Sequence, residues 1–210
     1  MSDFRNYRAD NFPPVVKYLI IINVAVFIAQ RTLDGTFGLT DKLALYPVSY
    51  PEFRAYQIIT HMFTHSPTLF MHIIFNMFGL WMFGKLLENL WGSKRFLNFY
   101  LLCGMGAAIV HLMVEFMTGG YSAAVGASGA IMGIFAAFGY LFPNTELFIM
   151  FIPIPVKAKW AVLGLAAYDL FGGIANSGGD NVAHFAHLGG ALTGFIIVLI
   201  WNKKGRGRFY

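Results

Sequence analysis

Six apolar stretches set off by polar or glycine- and proline-rich breaks organise this chain: about 15–33, 69–90, 96–118, 125–142, 158–175 and 182–201. Each approaches the roughly 20 residues that a helix needs to cross a hydrocarbon core about 30 Å thick. In lipid every backbone polar group must be satisfied within the protein, so such stretches are expected to be helices. Composition agrees: 57% of residues are apolar, 12% are charged and the mean hydropathy is +0.60, against roughly 25% charged in a soluble domain. The expected fold class is an all-α membrane protein, a compact bundle of six transmembrane helices.

Charge sets the orientation. With both termini cytoplasmic, the inner segments hold Arg5, Arg8, Lys17, Lys85, Lys94, Arg95, Lys157, Lys159, Lys203, Lys204, Arg206 and Arg208, and the outer ones only Arg31, Lys42 and Arg54. Twelve against three follows the positive-inside rule for six spans. The competing count of five drops the short fifth stretch, which carries Asp169, and puts the basic tail outside. The formal charge of +5 is therefore arranged for a bilayer, and no nucleic-acid partner is expected.

The resulting organisation is a short N-terminal segment (1–14), a membrane domain (15–201) and a basic tail (202–210). Acids near the start and no small-residue cleavage site mark the first stretch as a retained helix. The first outer loop, about 34–68, is aromatic- and proline-rich and is expected to rest in the interface, whereas the last, 172–180, is glycine-rich and loose. Phe148 to Val156, broken by Pro153 and Pro155, reads as an interfacial connection. The lone Cys103 permits no intrachain disulfide.

Ser128, in Gly126-Ala127-Ser128-Gly129, opens the fourth stretch. A serine among glycines in a membrane helix is by itself a packing motif more often than a nucleophile. The second, fourth and sixth stretches, however, all run from outside to inside. At 1.5 Å per residue, Ser128, His187, His72 and Asn76 then fall at one depth, roughly 5–10 Å below the outer boundary. His72 and Asn76, at i and i+4, share a helix face. A neutral histidine is the base that a serine hydroxyl needs. The Asn76 amide, a His72 N–H and the Ser128 backbone N–H are candidate donors to an oxyanion. Asp169 and Asp180 are near His187 in sequence, but neither is placed, and the expectation is a Ser-His dyad.

Gly126-Ala127-Ser128-Gly129, His72-x-x-x-Asn76, His187-x-x-Gly190-x-x-x-Gly194 and Gly84-x-x-x-Glu88 together resemble the signature of rhomboid intramembrane serine proteases of the bacterial six-helix type. The resemblance implies Ser128 as nucleophile, His187 as base, and His72 and Asn76 at the oxyanion. It implies single-span membrane proteins as substrates, the bilayer as partner, no cofactor or metal, and a multi-pass place in a bacterial inner membrane. Gly190 and Gly194 would let the sixth helix approach Gly129 and Gly133 of the fourth. Two positions depart from the pattern: Tyr56-Gln57 stands where many relatives have Trp-Arg, and Met132 where many carry an aromatic four residues after the serine.

Other readings compete. His184 can claim the base role, though the glycine register selects His187. His61 and His65 with His184 and His187 are candidate metal ligands, but no His-Glu-x-x-His motif is present. His111 and Glu115 are expected to pair, and Glu88 to cap loop amides on the cytoplasmic side. Tyr168-Asp169 with Gly178-Gly179-Asp180 does not complete an aspartyl-protease pattern, since position 177 is serine. The rival class is a catalytically silent bundle that binds membrane helices, whose mark would be loss of the serine or the base.

Overall fold

Pro13 and Pro14 start the first helix, because a proline at the first turn gives up no N–H that the helix needs. In the computed structural model, which describes residues 10–148, 154–175 and 181–204, this helix is α1, Pro14–Phe37. Its amides at Val15 and Val16 are taken by the Glu88 carboxylate at 2.9 and 2.8 Å. Ser93 adds a third bond to the same group at 2.6 Å. Glu88 thus caps amides, but those of the α1 N-terminus and not the loop amides expected of it. One stripe of α1 (Val16, Leu19, Asn23, Phe27, Gln30) is buried, while Ile21, Ile22 and Ile28 on other faces are exposed, as lipid contact requires. Gly38, at φ 57°, ends the helix in the left-handed conformation that glycine adopts without penalty.

The segment after α1 is built from α2 (Leu39–Leu43), α3 (Gln57–Thr60) and a 3₁₀ turn at His61–Phe63. Gln57, at one of the positions that depart from the family pattern, braces this segment. Its fully buried amide accepts from the N–H groups of Tyr46 and Arg54 and donates to the carbonyls of Lys42 and Glu52. Gln30 repeats the device, bonding Thr40 and both backbone groups of His65. The loop therefore packs as a structured cap, burying Leu45, Tyr46, Met62 and His65.

The second apolar stretch is one continuous helical run, α4 (Phe70–Gly79) and α5 (Lys85–Trp91), joined by a π-helical turn at Leu80–Gly84. Next come α6 (Ser93–Thr118) and α7 (Ser128–Leu141). A two-stranded antiparallel ribbon follows, β1 (Glu146–Phe148) and β2 (Pro155–Lys157), then α8 (Ala158–Ala175) and α9 (Asn181–Lys204). The ribbon is the one addition to an otherwise helical architecture among the described residues. The interior of the expected interfacial connection (149–153), the end of the last loop (176–180), residues 1–9 and residues 205–210 of the basic tail lie outside the described residues. Gly172 to Ala175, shared by the expected fifth stretch (158–175) and the expected loop (172–180), belong to α8.

Helices occupy all six expected places. Four of them (Pro14–Phe37, Phe70–Trp91, Ser93–Thr118 and His184–Lys203) are long and apolar enough to cross a membrane. The helix Ser128–Leu141 is apolar but shorter, and α8 is not in that set. This is a multi-pass integral membrane protein. Short α7 is the hub: Gly129 to Ile134 and Ala136 to Gly139 are all buried. It packs on α6 and α9. A side-chain carbon at Gly194 would stand 2.6 Å from the Gly133 carbonyl oxygen, and one at Gly190 would run into the Gly129 carbonyl. The expected close approach of the two glycine pairs is therefore present.

Candidate active site

Ser128 is the first residue of α7, so its N–H is among those left without a partner inside the helix. The chain is led into that position by the cap. Leu45 and Ala124 exchange two backbone hydrogen bonds of 2.9 Å, and the Gly126 N–H donates to the His61 carbonyl at 2.9 Å. Gly126 holds φ 122°, a conformation nearly closed to side chains, and a side-chain carbon there would lie 2.8 Å from His72 Nε2. The glycine is thus required twice, by its backbone and by the imidazole beside it.

His187, on α9, places Nε2 2.8 Å from Ser128 Oγ. That is hydrogen-bond distance, with the hydroxyl donating when Nε2 is the unprotonated nitrogen. His72 comes from the start of α4. Its Nδ1 is 3.5 Å from the Ser66 N–H, and its ring meets His65 edge-on at 5.1 Å between centroids. An N–H donor at Nδ1 leaves the proton on Nε2, the nitrogen that faces Gly126. A cavity of about 360 Å³ collects these groups, lined by His61, His72, His111, Gly126, Ser128 and His187 among others.

Asn76 lies one turn deeper, buried, and does not line that cavity. Its Nδ2 donates to the His72 carbonyl at 2.7 Å. An amide nitrogen carries two hydrogens, so one donor is left for an oxyanion. Losing a single oxyanion donor typically costs on the order of 10²–10³ in turnover. We expect His72→Ala to lose that much, and Asn76→Ala roughly tenfold, because its bond to His72 makes part of its effect indirect. Steady-state cleavage of a single-span substrate checks both. Wild-type turnover by His72→Ala would remove it from the site.

Burial holds the His61 imidazole mostly neutral, its pKa below the usual histidine value, and pushes His65 down to about 4 with help from the neighbouring His72. His61 turns Nδ1 to the Gln57 carbonyl at 2.9 Å, while His184 and His187 both face Asp169. The four histidines weighed as metal ligands are therefore not gathered on one point, and no described group of three or more such side chains is. His111 and Glu115 are both buried but share neither a hydrogen bond nor an ion pair. The expected pairing is not formed because the Glu115 carboxylate turns to the helix end beside Gly120, while His111 lines the cavity.

Asp169 is the residue that sequence reasoning left unplaced. Its Oδ1 lies 3.2 Å from His187 Nδ1 and 2.7 Å from His184 Nδ1. A buried carboxylate therefore stands behind His187, a neighbour that the Ser-His expectation did not include. The available signal was an ionisable residue inside an apolar span, which by default marks a functional position.

The model for the Rhomboid domain matches residues 52–204 of the chain. A bovine (Bos taurus) presenilin-associated rhomboid-like protein, mitochondrial, is 32% identical over 192 residues, 89% of this chain and 49% of its own length. Rhomboid protein 1, mitochondrial, of Saccharomyces cerevisiae is 31% identical over 186 residues, covering 87% and 51%. RHOMBOID-like protein 12, mitochondrial, of Arabidopsis thaliana is 29% identical over 212 residues, covering 93% and 60%. The chain spans about half the length of the first two relatives. All three are named mitochondrial, so the expected bacterial inner membrane draws no support from them.

Proposed function

The chain belongs to the rhomboid family, and from that premise we propose that it is an intramembrane serine endopeptidase cutting single-span membrane proteins near the outer end of the span. The observation that carries this reading is the 2.8 Å contact of Ser128 Oγ with His187 Nε2 inside a bundle of membrane helices. In this mechanism Ser128 Oγ attacks the carbonyl carbon of the scissile peptide as its proton passes to His187 Nε2. The oxyanion is met by the Ser128 N–H, His72 Nε2–H and the remaining Asn76 N–H. Collapse breaks the C–N bond, and His187 returns the proton to the leaving amine. Water then repeats the sequence on the acyl-enzyme, freeing the acid and the serine. A silent helix binder has no use for a serine held on a base beside a histidine-lined cavity, and the enzyme reading is preferred for that reason.

The six helices are read as six crossings with both termini on the Lys- and Arg-rich side. A helix of 14 residues is about 21 Å long, short of the roughly 30 Å core. With its inner end at the boundary, α7 holds Ser128 several ångströms below the outer surface. Between the run Phe75–Phe83 and α8 lies a largely apolar groove of about 660 Å³, lined by Phe75, Phe78, Met82, Phe138, Leu165 and Tyr168 among others. Since α8 packs on α9, a substrate helix admitted on its other side leaves that packing in place.

Peptide bonds within a regular helix are shielded, and unwinding one in lipid exposes backbone groups that nothing satisfies. Cuts are therefore expected near the outer end of the span, after a small residue and next to a helix-destabilising one. The experiment moves a small-residue motif stepwise along a model span in liposomes and maps the products by mass spectrometry. Efficient cutting at the bilayer centre, or indifference to phenylalanine at the small position, would overturn the reading. So would unchanged rates after a disulfide ties α8 to α4.

A further inference from the structure

Resting on the proposed protease reading, we infer that Asp169 is a positioning residue that fixes the tautomer and ring plane of His187, with His184 as a second donor that holds the carboxylate in place. Helix α8 is turned inside out for this purpose. Tyr168, Leu170 and Phe171 are 66%, 44% and 70% exposed, whereas Asp169 between them is 2% exposed. An acid on the buried side of an apolar helix is costly unless hydrogen bonded. Its bonds run to Nδ1 of two histidines one turn apart on α9, and its other oxygen has no partner among the described residues. Neither contact is an accident of exposed, long side chains.

The backbone is shaped to make the contact. A side-chain carbon at Gly172 would stand 2.7 Å from the His184 ring, and one at Gly173 would stand 2.9 Å from the Phe185 ring. Two glycines, one turn beyond Asp169, thus let α8 come close enough for a short carboxylate to reach both imidazoles. The chemistry follows from the other end of His187. Nε2 must be unprotonated to accept the Ser128 proton, so Nδ1 must carry the ring hydrogen and needs an acceptor. Asp169 Oδ1 is that acceptor, and its charge also faces the imidazolium formed in the attack. His184 donates to the same oxygen, which keeps the group an acceptor, but Ser128 has its hydrogen bond with His187.

The test uses the full chain in liposomes with a single-span substrate. Asp169→Asn keeps the volume but can present an N–H to Nδ1, which favours the wrong tautomer. We expect kcat to fall about 10²-fold or more with KM near the wild-type value, and Asp169→Glu to recover part of the loss. Labelling of Ser128 by a fluorophosphonate should slow in step. For a variant that does not fold, the wild-type protein decides: selective ¹⁵N-histidine NMR, assigned by comparison with His187→Gln, should show His187 protonated at Nδ1. A proton on Nε2 overturns the inference. So does wild-type kcat in Asp169→Asn while wild-type Ser128 is labelled, an outcome that leaves the protease reading standing. Wild-type protein that neither cleaves nor labels at Ser128 sinks both.

Discussion

Ser128→Ala and His187→Ala are each expected to abolish cleavage of a single-span substrate, a loss on the order of 10⁶ in turnover where nucleophile and base act as one unit. The reason is geometric: with 2.8 Å between Oγ and Nε2, neither group has a substitute within the site. His184 is not one, because its Nε2 lies against Gly172 and not against Ser128. The double variant should therefore be no slower than either single one. Alanine at 128 adds no bulk at the start of α7, so thermal unfolding of Ser128→Ala should match the wild type. A fluorophosphonate adduct located on Ser128 in the wild type, and missing from both variants, checks the assignment independently of substrate. Full turnover by Ser128→Ala would end the serine mechanism. Inhibition by a chelator with no dependence on Ser128 would revive the metal reading.

The apolar blocks made the helices legible because lipid leaves the backbone few alternatives. All six lie within a few residues of their expected bounds. The Ser128, His72 and His187 constellation was legible for a related reason. Helices that start on one side deliver side chains of equal count to equal depth. Asp169 escaped because it depends on the distance between two neighbouring helices, which no periodicity records. Only the adjacent Gly172-Gly173 hints at a close approach. Gln57 escaped for a different reason. Its four bonds go to backbone groups of an irregular loop, and no spacing in the sequence records them. The pairing of His111 with Glu115 failed because i, i+4 spacing gives proximity but not rotamer, and each side chain found a different environment.

Gly190→Val is expected to cost the protein both its activity and much of its stability. Small residues matter at this crossing because helices in lipid gain little from apolar contact alone and depend on close packing. At Gly190 the first side-chain atom would fall on the Gly129 carbonyl, whereas at Gly194 it would stand 2.6 Å from the Gly133 carbonyl. Both obstacles are backbone, which cannot rotate away, so α7 and α9 must separate. Ser128 and His187 sit on those two helices, and a misplacement of about 1 Å already costs roughly 10²-fold. We expect Gly190→Val to lose more than about 10²-fold in kcat, and Gly194→Val, deeper in the bundle and less obstructed, to lose less. Alanine at either position should fall between valine and glycine. Thermal unfolding in detergent, paired with turnover, separates lost fold from lost alignment. Gly190→Ala is the informative variant: if it folds, its activity should fall by a larger factor than its melting temperature alone accounts for. A Gly190→Val protein with wild-type melting and turnover would mean that α7 and α9 do not meet there, and the shared level of serine and base would lose its structural cause.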